Sequence, residues 1–267
     1  MPAHQIIFLS IVQGITEFLP ISSSGHLILV PKLFGWKDQG LTMDVAVHLG
    51  TLGAVFIYFW RDVVRLFKGF VMLLRGKITT DAYLFFALCL GTIPAVIFGL
   101  ILSLIGTEGL RSYAVIGWTS IIFGGALYAI DRLFEGRKSI DQMTLKNAWW
   151  IGVAQALALI PGTSRSGVTM TMGRAIGLTR VEAARFAFLL CIPSIIAAAT
   201  LTAYKAVKSS EILQMTDLSL AIGVSFIAGL FAITFMLRWL RRSNFTIFIV
   251  YRVALGLSLL YLAYFTA

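Results

Sequence analysis

The stretch QGITEFLPISSSGH, residues 13–26, decides how the rest of the chain is arranged. It lies inside an apolar N-terminal segment, residues 6–30, whose composition suits a bilayer. A carboxylate at the centre of a membrane segment costs roughly 2.5–3.5 kcal/mol on insertion scales, so Glu17 is a functional candidate. Pro20 lacks a backbone N–H and therefore favours a break in the helix. The segment predicts a broken helix pair rather than one continuous span.

Polar and small residues follow the predicted break, namely Ser22, Ser23, Ser24, Gly25 and His26. Serine is favoured at the first position of a helix, and the free N–H groups and dipole at a helix N-terminus favour an anion. Gln13 and Glu17 are four residues apart, so they share one face of the preceding helix. Together these features predict a phosphate-binding site.

A second copy of the pattern is QALALIPGTSRSGVT, residues 155–169. A shift of 142 positions aligns Gln13 with Gln155, Ser22 with Ser164, Ser24 with Ser166 and Gly25 with Gly167. At the position of Ser23 the second copy has Arg165, whose planar guanidinium suits bidentate contacts with phosphate. The second copy is therefore predicted to form the other half of the same site.

The composition indicates a polytopic helical membrane protein. Of 267 residues, 58% are hydrophobic and 13% are charged, whereas soluble domains are about 45–50% apolar and about 25% charged. The net charge of +10 is interpreted as basic cytoplasmic loops and contacts with anionic headgroups, not as nucleic-acid binding. Cys89 and Cys191 lie in apolar segments without metal-ligand spacing, so packing is their expected role.

The distribution of basic residues predicts the topology. Six apolar stretches are expected to span the membrane, at residues 41–60, 82–105, 113–130, 182–204, 218–240 and 245–265. Loops that begin at residues 61, 131 and 238 contain most of the basic residues, whereas residues 106–112 and 205–217 contain few. All basic loops fall on the cytoplasmic side if residues 6–30 and 148–177 each leave the membrane by the face through which they entered.

The predicted fold is an all-α polytopic membrane protein in a single integral membrane domain, residues 1–267. It contains two inverted repeats, residues 1–131 and 148–267, each a re-entrant helix pair followed by three transmembrane helices. Three crossings invert the second copy relative to the first. The first tip is expected to enter from the non-cytoplasmic side and the second from the cytoplasm, so that both meet inside the membrane, where irregular backbone must line a cavity.

The residues QGITEFLPISSSGHL and PGTSRSGVT resemble the two signature motifs of the undecaprenyl-diphosphate phosphatase family of the bacitracin-resistance type. DVAVHLGTL, residues 44–52, extends the resemblance along the chain. It implies a multi-pass enzyme of the bacterial cytoplasmic membrane that hydrolyses undecaprenyl diphosphate to undecaprenyl phosphate and inorganic phosphate. This activity would recycle the lipid carrier for cell-wall synthesis and confer bacitracin resistance, with the active site open to the non-cytoplasmic side. The oligomeric state stays open, with a homodimer as one arrangement.

The resemblance and the residues together assign roles within the site. The expected catalytic residues are Glu17, Ser23, His26 and Arg165. The expected substrate-binding residues are Gln13, Ser22, Ser24, Gly25, Ser164, Ser166, Gly167 and Thr169. Glu17 is expected either to hold a divalent cation, Mg²⁺ or Ca²⁺, on the diphosphate or to orient His26 as a base. Because the motif begins with Gln13, where the family has Glu or Gln, only one carboxylate remains, and strong metal binding by the protein alone is not expected.

Several alternatives stay open at this point. Ser23 matches the family's proposed nucleophile, and His26 is expected to activate Ser23, to activate water or to protonate the leaving phosphate. Glu17 could instead be a structural partner of Arg165, while Ser22 and Ser24 could serve only as caps.

Outside the two motifs, His48 and Asp44 form either a supporting pair or a helix-end contact, and Arg174 is interpreted as a positive-inside residue. The alternative function is a secondary transporter or flippase for a lipid phosphate or small anion that uses the same inverted repeat. Transport has no need of an adjacent serine and histidine, which favours the enzyme.

Overall fold

The computed structural model describes residues 1–106, 108–209 and 215–265. Within them the chain folds into α-helices: α1 Ala3–Phe18, α2 Ser23–Phe34, α3 Gly40–Tyr58, α4 Trp60–Leu74, α5 Thr80–Ile105, α6 Tyr113–Leu133, α7 Leu145–Leu157, α8 Arg165–Ala175, α9 Arg180–Ser209, α10 Met215–Leu240 and α11 Thr246–Phe265. Among the described residues, six helices are long and apolar enough to cross a membrane, namely α3, α5, α6, α9, α10 and α11. This confirms the prediction of an all-helical protein with six spans.

Both predicted helix breaks are present, and they share an unusual backbone conformation. Ser22, before α2, has φ 74°, and Ser164, before α8, has φ 73°. Among the described residues other than glycine, only these two have positive φ, which costs roughly 1–2 kcal/mol in the left-handed region. Each serine caps its helix, since Ser22 Oγ accepts from Gly25 N–H at 3.3 Å and Ser164 Oγ accepts from Gly167 N–H at 3.1 Å.

The first helix pair returns to the face where it began. The Met1 amino group pairs with Asp217 at 3.2 Å, at the start of α10. Lys32, near the end of α2, donates to the Arg111 carbonyl at 2.5 Å, just before α6. The His4 ring, at the start of α1, lies 6.1 Å from the Trp36 ring, just after α2, so α1 starts and α2 ends at the same face. The first pair is therefore re-entrant, as predicted.

The second helix pair returns to the opposite face. The N–H groups of Arg137 and Lys138, which precede α7, both donate to the Gly177 carbonyl at 2.9 Å, just after α8. At this face Arg65 also pairs with Asp141 at 2.8 Å. The basic segments that begin at residues 61 and 131 consequently lie together. Parts of the loops poor in basic residues, Thr107 and residues 210–214, lie outside the described residues.

One sequence interpretation was wrong, because residues 61–81 are not simply a loop. Residues 60–74 form α4, whose side chains Asp62 and Leu66 are buried, while Phe67 is 67% exposed and Leu74 is 72% exposed. Its basic residues rule out a span, but its apolar face has helical spacing and suits the membrane interface. Similarly, α9 extends to Ser209, beyond the predicted end of that span at residue 204.

The helix pairs pack reciprocally between the two halves of the chain. Helix α1 packs against α10, and α7 packs against α5. Glycines permit both approaches: a Cβ at Gly14 would lie 2.8 Å from the Ser225 carbonyl oxygen, and one at Gly152 would lie 2.3 Å from that of Gly91. Close approach at small residues is typical of helix packing in membranes. The repeat boundaries at residues 131 and 148 stay a prediction.

Candidate active site

The two breaks meet inside the bundle and are hydrogen-bonded to each other. Gly162 N–H, in the second break, donates to Ser22 Oγ at 3.1 Å. Ser166 Oγ, in the first turn of α8, donates to the Leu19 carbonyl at 2.9 Å, in the first break. The N-termini of α2 and α8 are therefore brought to one place, as expected for an anion site.

Glu17 is the centre of this site and is 5% exposed. Its Oε1 forms an ion pair with the Arg165 guanidinium. Its Oε2 accepts hydrogen bonds from Ser23 Oγ at 2.5 Å and from Gln13 Nε2 at 2.9 Å. The Nε2 of His48 lies 3.6 Å from the same oxygen. The Glu17 carboxylate thus contacts a hydroxyl of the first motif and a guanidinium of the second.

Arg165 is the first residue of α8 and connects the site to α9. Its Nη2 also contacts Cys191 Sγ at 2.5 Å. The Arg165 side chain is 20% exposed, whereas Cys191 is 2% exposed. The guanidinium therefore contacts a buried thiol on one side and is partly accessible on the other. This arrangement allows it to exchange Glu17 for an incoming anion.

His26 is bonded away from Ser23. Its Nδ1 lies 2.7 Å from the Ser22 carbonyl oxygen, which can only accept, so Nδ1 carries the proton. In the neutral ring Nε2 is then the acceptor for the Tyr251 hydroxyl at 2.6 Å, and the two rings stack with centroids 5.8 Å apart. The structure accordingly pairs Ser23 with Glu17 and not with His26, because the first turn of α2 directs Ser23 toward α1 and His26 toward α11.

The other hydroxyls of the motifs have structural partners. Ser24 Oγ lies 3.4 Å from Ser22 Oγ, and the matching pair, Ser166 and Ser164, lies at 3.2 Å. Thr169 Oγ1 donates at 2.7 Å to a carbonyl one turn earlier in its own helix. These contacts are caps and helix-internal bonds, so a direct substrate contact by these hydroxyls remains a prediction.

Glycines beside the caps are required for space. A Cβ at Gly25 would lie 3.3 Å from Ile116 Cγ2, and one at Gly167 would lie 2.9 Å from an Arg252 nitrogen. A larger residue at either position would displace these side chains. Their predicted contact with substrate stays a prediction.

Asp44 and His48 do not form a carboxylate–imidazole pair. His48 Nδ1 contacts the backbone oxygen of Asp44 at 2.6 Å, and the Asp44 carboxylate accepts from Gln39 at 2.6 Å. The helix-internal alternative is therefore the one observed. It directs His48 Nε2 toward Glu17 and makes His48 a neighbour of the site.

Arg174, interpreted from the sequence as a positive-inside residue, has buried partners in the last turn of α8. It is 4% exposed and donates to Asp131 at 3.0 Å and to the Leu178 carbonyl at 2.7 Å. Arg180 donates to the same carboxylate at 2.9 Å. Arg174 belongs to a buried ion-pair network at the end of the bundle where α8 ends, away from Glu17.

The protein by itself provides few oxygen atoms for a divalent cation. Both oxygens of Glu17 are engaged, and no group of three or more potential ligands among His, Cys, Asp and Glu occurs in the described residues. Gln13 Oε1 is buried without a hydrogen-bond partner there, so one amide oxygen beside Glu17 is available. Since Mg²⁺ and Ca²⁺ take six or more oxygen ligands, these residues do not form a complete metal site.

Sequence reasoning passed over two adjacent residues of α11, Tyr251 and Arg252. Tyr251 holds His26, and Arg252 is 0% exposed within a helix long and apolar enough to cross the membrane. The signal was present, because a lone arginine in an apolar span is a functional candidate by default.

The fold and the site define a multi-pass, all-helical membrane protein with a candidate anion site between two re-entrant tips. Residues 6–258 match the family model described as bacitracin resistance protein BacA, and the chain belongs to this family. This confirms the resemblance drawn from the two motifs.

The chain is similar along nearly its whole length to proteins named undecaprenyl-diphosphatase. The protein from Jannaschia sp. (strain CCS1) is 49% identical over 266 residues, which cover 99% of this chain and 100% of the relative. That from Ruegeria sp. (strain TM1040) is 46% identical with the same coverage. That from Hahella chejuensis (strain KCTC 2396) is 47% identical over 257 residues, 96% of each chain.

Proposed function

We propose that this protein is an undecaprenyl-diphosphate phosphatase, which hydrolyses undecaprenyl diphosphate to undecaprenyl phosphate and inorganic phosphate. Membership of the BacA family and the names of its relatives support this activity. The observation that carries it is the chain of contacts from Ser23 through Glu17 to Arg165, which joins a nucleophile, a base and a cation. Recycling of the lipid carrier and bacitracin resistance follow from the same reaction.

The diphosphate binds between the N-termini of α2 and α8, where free N–H groups and Arg165 face its oxygens. The prenyl chain stays in the bilayer beside α11. Tyr251, which is 42% exposed on that helix and bonded to His26, marks the edge of the site nearest to lipid. The anion competes with Glu17 for the Arg165 guanidinium, which loosens the ion pair and makes the carboxylate a better base.

In the first step Ser23 attacks the terminal phosphorus. The Ser23 O–H proton passes to Glu17 Oε2, from which it is 2.5 Å away between heavy atoms. The Oγ–P bond forms while the bond from phosphorus to the bridging oxygen breaks, and undecaprenyl phosphate leaves. Arg165 and the helix N-termini stabilise the charge on the non-bridging oxygens.

In the second step water hydrolyses the phosphoserine. A water molecule replaces the Tyr251 hydroxyl at His26 Nε2, which accepts a proton as the water oxygen bonds to phosphorus. The Ser23 Oγ–P bond breaks, and Glu17 returns the proton to Ser23. Phosphate and one proton are released, and the enzyme is restored.

Gln13 Oε1 and Glu17 are the residues that would hold a divalent cation, Mg²⁺ or Ca²⁺, together with oxygens of the diphosphate and water. Such a cation would neutralise charge on the diphosphate.

We propose that the enzyme lies in the bacterial cytoplasmic membrane with its site open to the non-cytoplasmic side, because the positive-inside rule predicts that the first helix pair begins and ends on that side. Light scattering of the detergent-solubilised protein would decide between a monomer and a homodimer.

Phosphate release by the purified protein from a long-chain polyprenyl diphosphate in detergent tests the proposal. A detergent micelle does not separate two aqueous compartments, and transport alone breaks no bond. A transporter or flippase would therefore release no phosphate in this assay. Turnover by the wild type and its loss in Arg165→Ala are expected. If the wild type releases no phosphate, with or without added Mg²⁺ or Ca²⁺, the proposed phosphatase activity is wrong.

A further inference from the structure

Arg252 is buried in an unusual environment. Its side chain is 0% exposed, and none of the ion pairs found between the described residues includes it. Its donors contact only backbone carbonyls. Burying a guanidinium without a carboxylate costs free energy unless its N–H donors are satisfied. The buried Arg252 side chain therefore depends on these carbonyls as hydrogen-bond acceptors.

The carbonyls come from both breaks and from the helix between them. Arg252 donates to Pro20 O at 3.2 Å in the first break. It donates to Gly162 O and Thr163 O, each at 3.0 Å, in the second break. Further bonds go to α6, at Ser120 O at 3.1 Å and Thr119 O at 3.3 Å. Carbonyls in a helix break have no intrahelical partner, and a planar guanidinium with five N–H donors can satisfy several at once.

Neighbouring glycines leave room for this side chain. A Cβ at Gly167 would lie 2.9 Å from Arg252 Nη1, and one at Gly124 would lie 3.4 Å from Arg252 Nε. Gly167 is in the first turn of α8, two residues after Arg165. The same glycine therefore admits the buried arginine beside the first turn of α8.

We propose that Arg252 is the positioning residue of the site, which holds the two breaks in register so that Glu17 and Arg165 meet beside Ser23. Pro20 is three residues after Glu17, and Thr163 is two residues before Arg165. Holding these two carbonyls therefore holds the backbone from which the Glu17 and Arg165 side chains extend. Lysine cannot replace it, because one ammonium with three donors cannot reach five carbonyls. The inference rests on the proposed phosphatase function for its catalytic consequence.

The test compares Arg252→Lys and Arg252→Met with Arg238→Lys, whose arginine is exposed on α10. Both Arg252 variants should lose about 10²-fold in kcat with little change in KM, the cost expected when reacting groups are displaced by about 1 Å. Arg238→Lys should keep wild-type kcat. An unchanged kcat in either Arg252 variant would overturn the proposal. Full activity in Arg252→Lys alone would show that a positive charge is enough at this position.

The two native thiols give a readout that needs no turnover. Cys191 contacts Arg165 beside the second break, whereas Cys89 lies on α5. In the Arg252 variants Cys191 should be alkylated faster than in the wild type, whereas the alkylation rate of Cys89 should not change. Both rates are measured by mass spectrometry of the two cysteine peptides. Equal acceleration at both thiols would indicate general loosening and reject a positioning role. If the wild type hydrolyses no diphosphate, the proposed function fails, while the Cys191 rate still decides whether Arg252 holds the breaks.

Gly167→Ala provides the same test if the Arg252 variants do not fold. Its Cβ would displace the guanidinium without removing it, so kcat should fall and Cys191 should react faster. Gly125→Ala on α6 is the control, because a Cβ there meets no atom within 4 Å. Equal behaviour of the two alanine variants would contradict the proposal.

Discussion

Replacing Ser23 by alanine and Glu17 by glutamine, singly and together, tests the proposed chemistry most directly. The Ser23 hydroxyl lies 2.5 Å from Glu17 Oε2, so nucleophile and base should act as one unit. A general base contributes about 10²–10⁴-fold, and Glu17→Gln should lose an amount in that range. Ser23→Ala should lose about 10³-fold or more, roughly 4 kcal/mol at 1.36 kcal/mol per tenfold, because only water attack aided by Arg165 remains.

The double variant distinguishes a unit from two independent contributions. If Ser23 and Glu17 act together, the double loss should equal the larger single loss. Independent effects would multiply to about 10⁶-fold, or roughly 8 kcal/mol. The assay is phosphate release from a polyprenyl diphosphate, with Ser24→Ala as the matched control, since Ser24 contacts Ser22 and should retain most turnover.

His26→Ala should behave differently, since His26 is bonded to Tyr251 and not to Ser23. Loss of the water-activating imidazole should slow the second step, so phosphoserine should accumulate and appear as a phosphate adduct in the intact mass. Because the two residues act in successive steps, the double variant should be about as slow as the slower single variant, and no phosphate adduct should form without Ser23. Near-wild-type turnover by Ser23→Ala would refute the covalent route, and a slow His26→Ala enzyme without the adduct would refute the assignment of His26 to the second step.

Three further predictions concern the cation, the topology and the metal. Arg165→Lys should reduce turnover strongly and Arg165→Ala should nearly abolish it, because the planar fork is lost, whereas Arg174→Ala should mainly lower the thermal midpoint; equal kinetic losses would contradict this. With the native cysteines replaced, Lys68→Cys should react with an impermeant reagent only from the cytoplasm, and both His4→Cys and Lys37→Cys only from outside; labelling of His4→Cys and Lys37→Cys from opposite sides would exclude the re-entrant first pair. Gln13→Glu adds a carboxylate beside Glu17 and should lower by about tenfold the Mg²⁺ concentration that gives half-maximal activity; an unchanged requirement would place the cation elsewhere.

The architecture was predictable because it depends on properties that can be counted along the chain. Charge distribution predicted which loops lie on one face, Pro20 indicated where the first helix breaks, and the aligned second motif indicated the second break. The convergence of the two breaks then followed from the odd number of crossings between them. Helix α4 was missed because its basic residues suggested a loop, although its apolar residues recur at helical spacing.

The internal contacts of the site were only partly predictable. Sequence spacing placed His26 one turn after Ser23, but the rotation of α2 about its axis decided that Ser23 faces Glu17. Tyr251 and Arg252 were not foreseen as parts of the site because their partners lie 89 to 232 residues earlier in the chain. Such pairings depend on how helices pack, which no local pattern encodes.

The 148 residues between Glu17 and Arg165 have a consequence for biosynthesis. At about 5–20 residues per second, the ribosome delivers the arginine roughly 7–30 s after the carboxylate, and the α10 surface on which α1 rests is made later still. During that interval the first hairpin has neither its counter-ion nor its neighbour. The insertion machinery must therefore hold an incomplete half-site at the membrane, and the protein acquires its buried charges as pairs only near the end of translation.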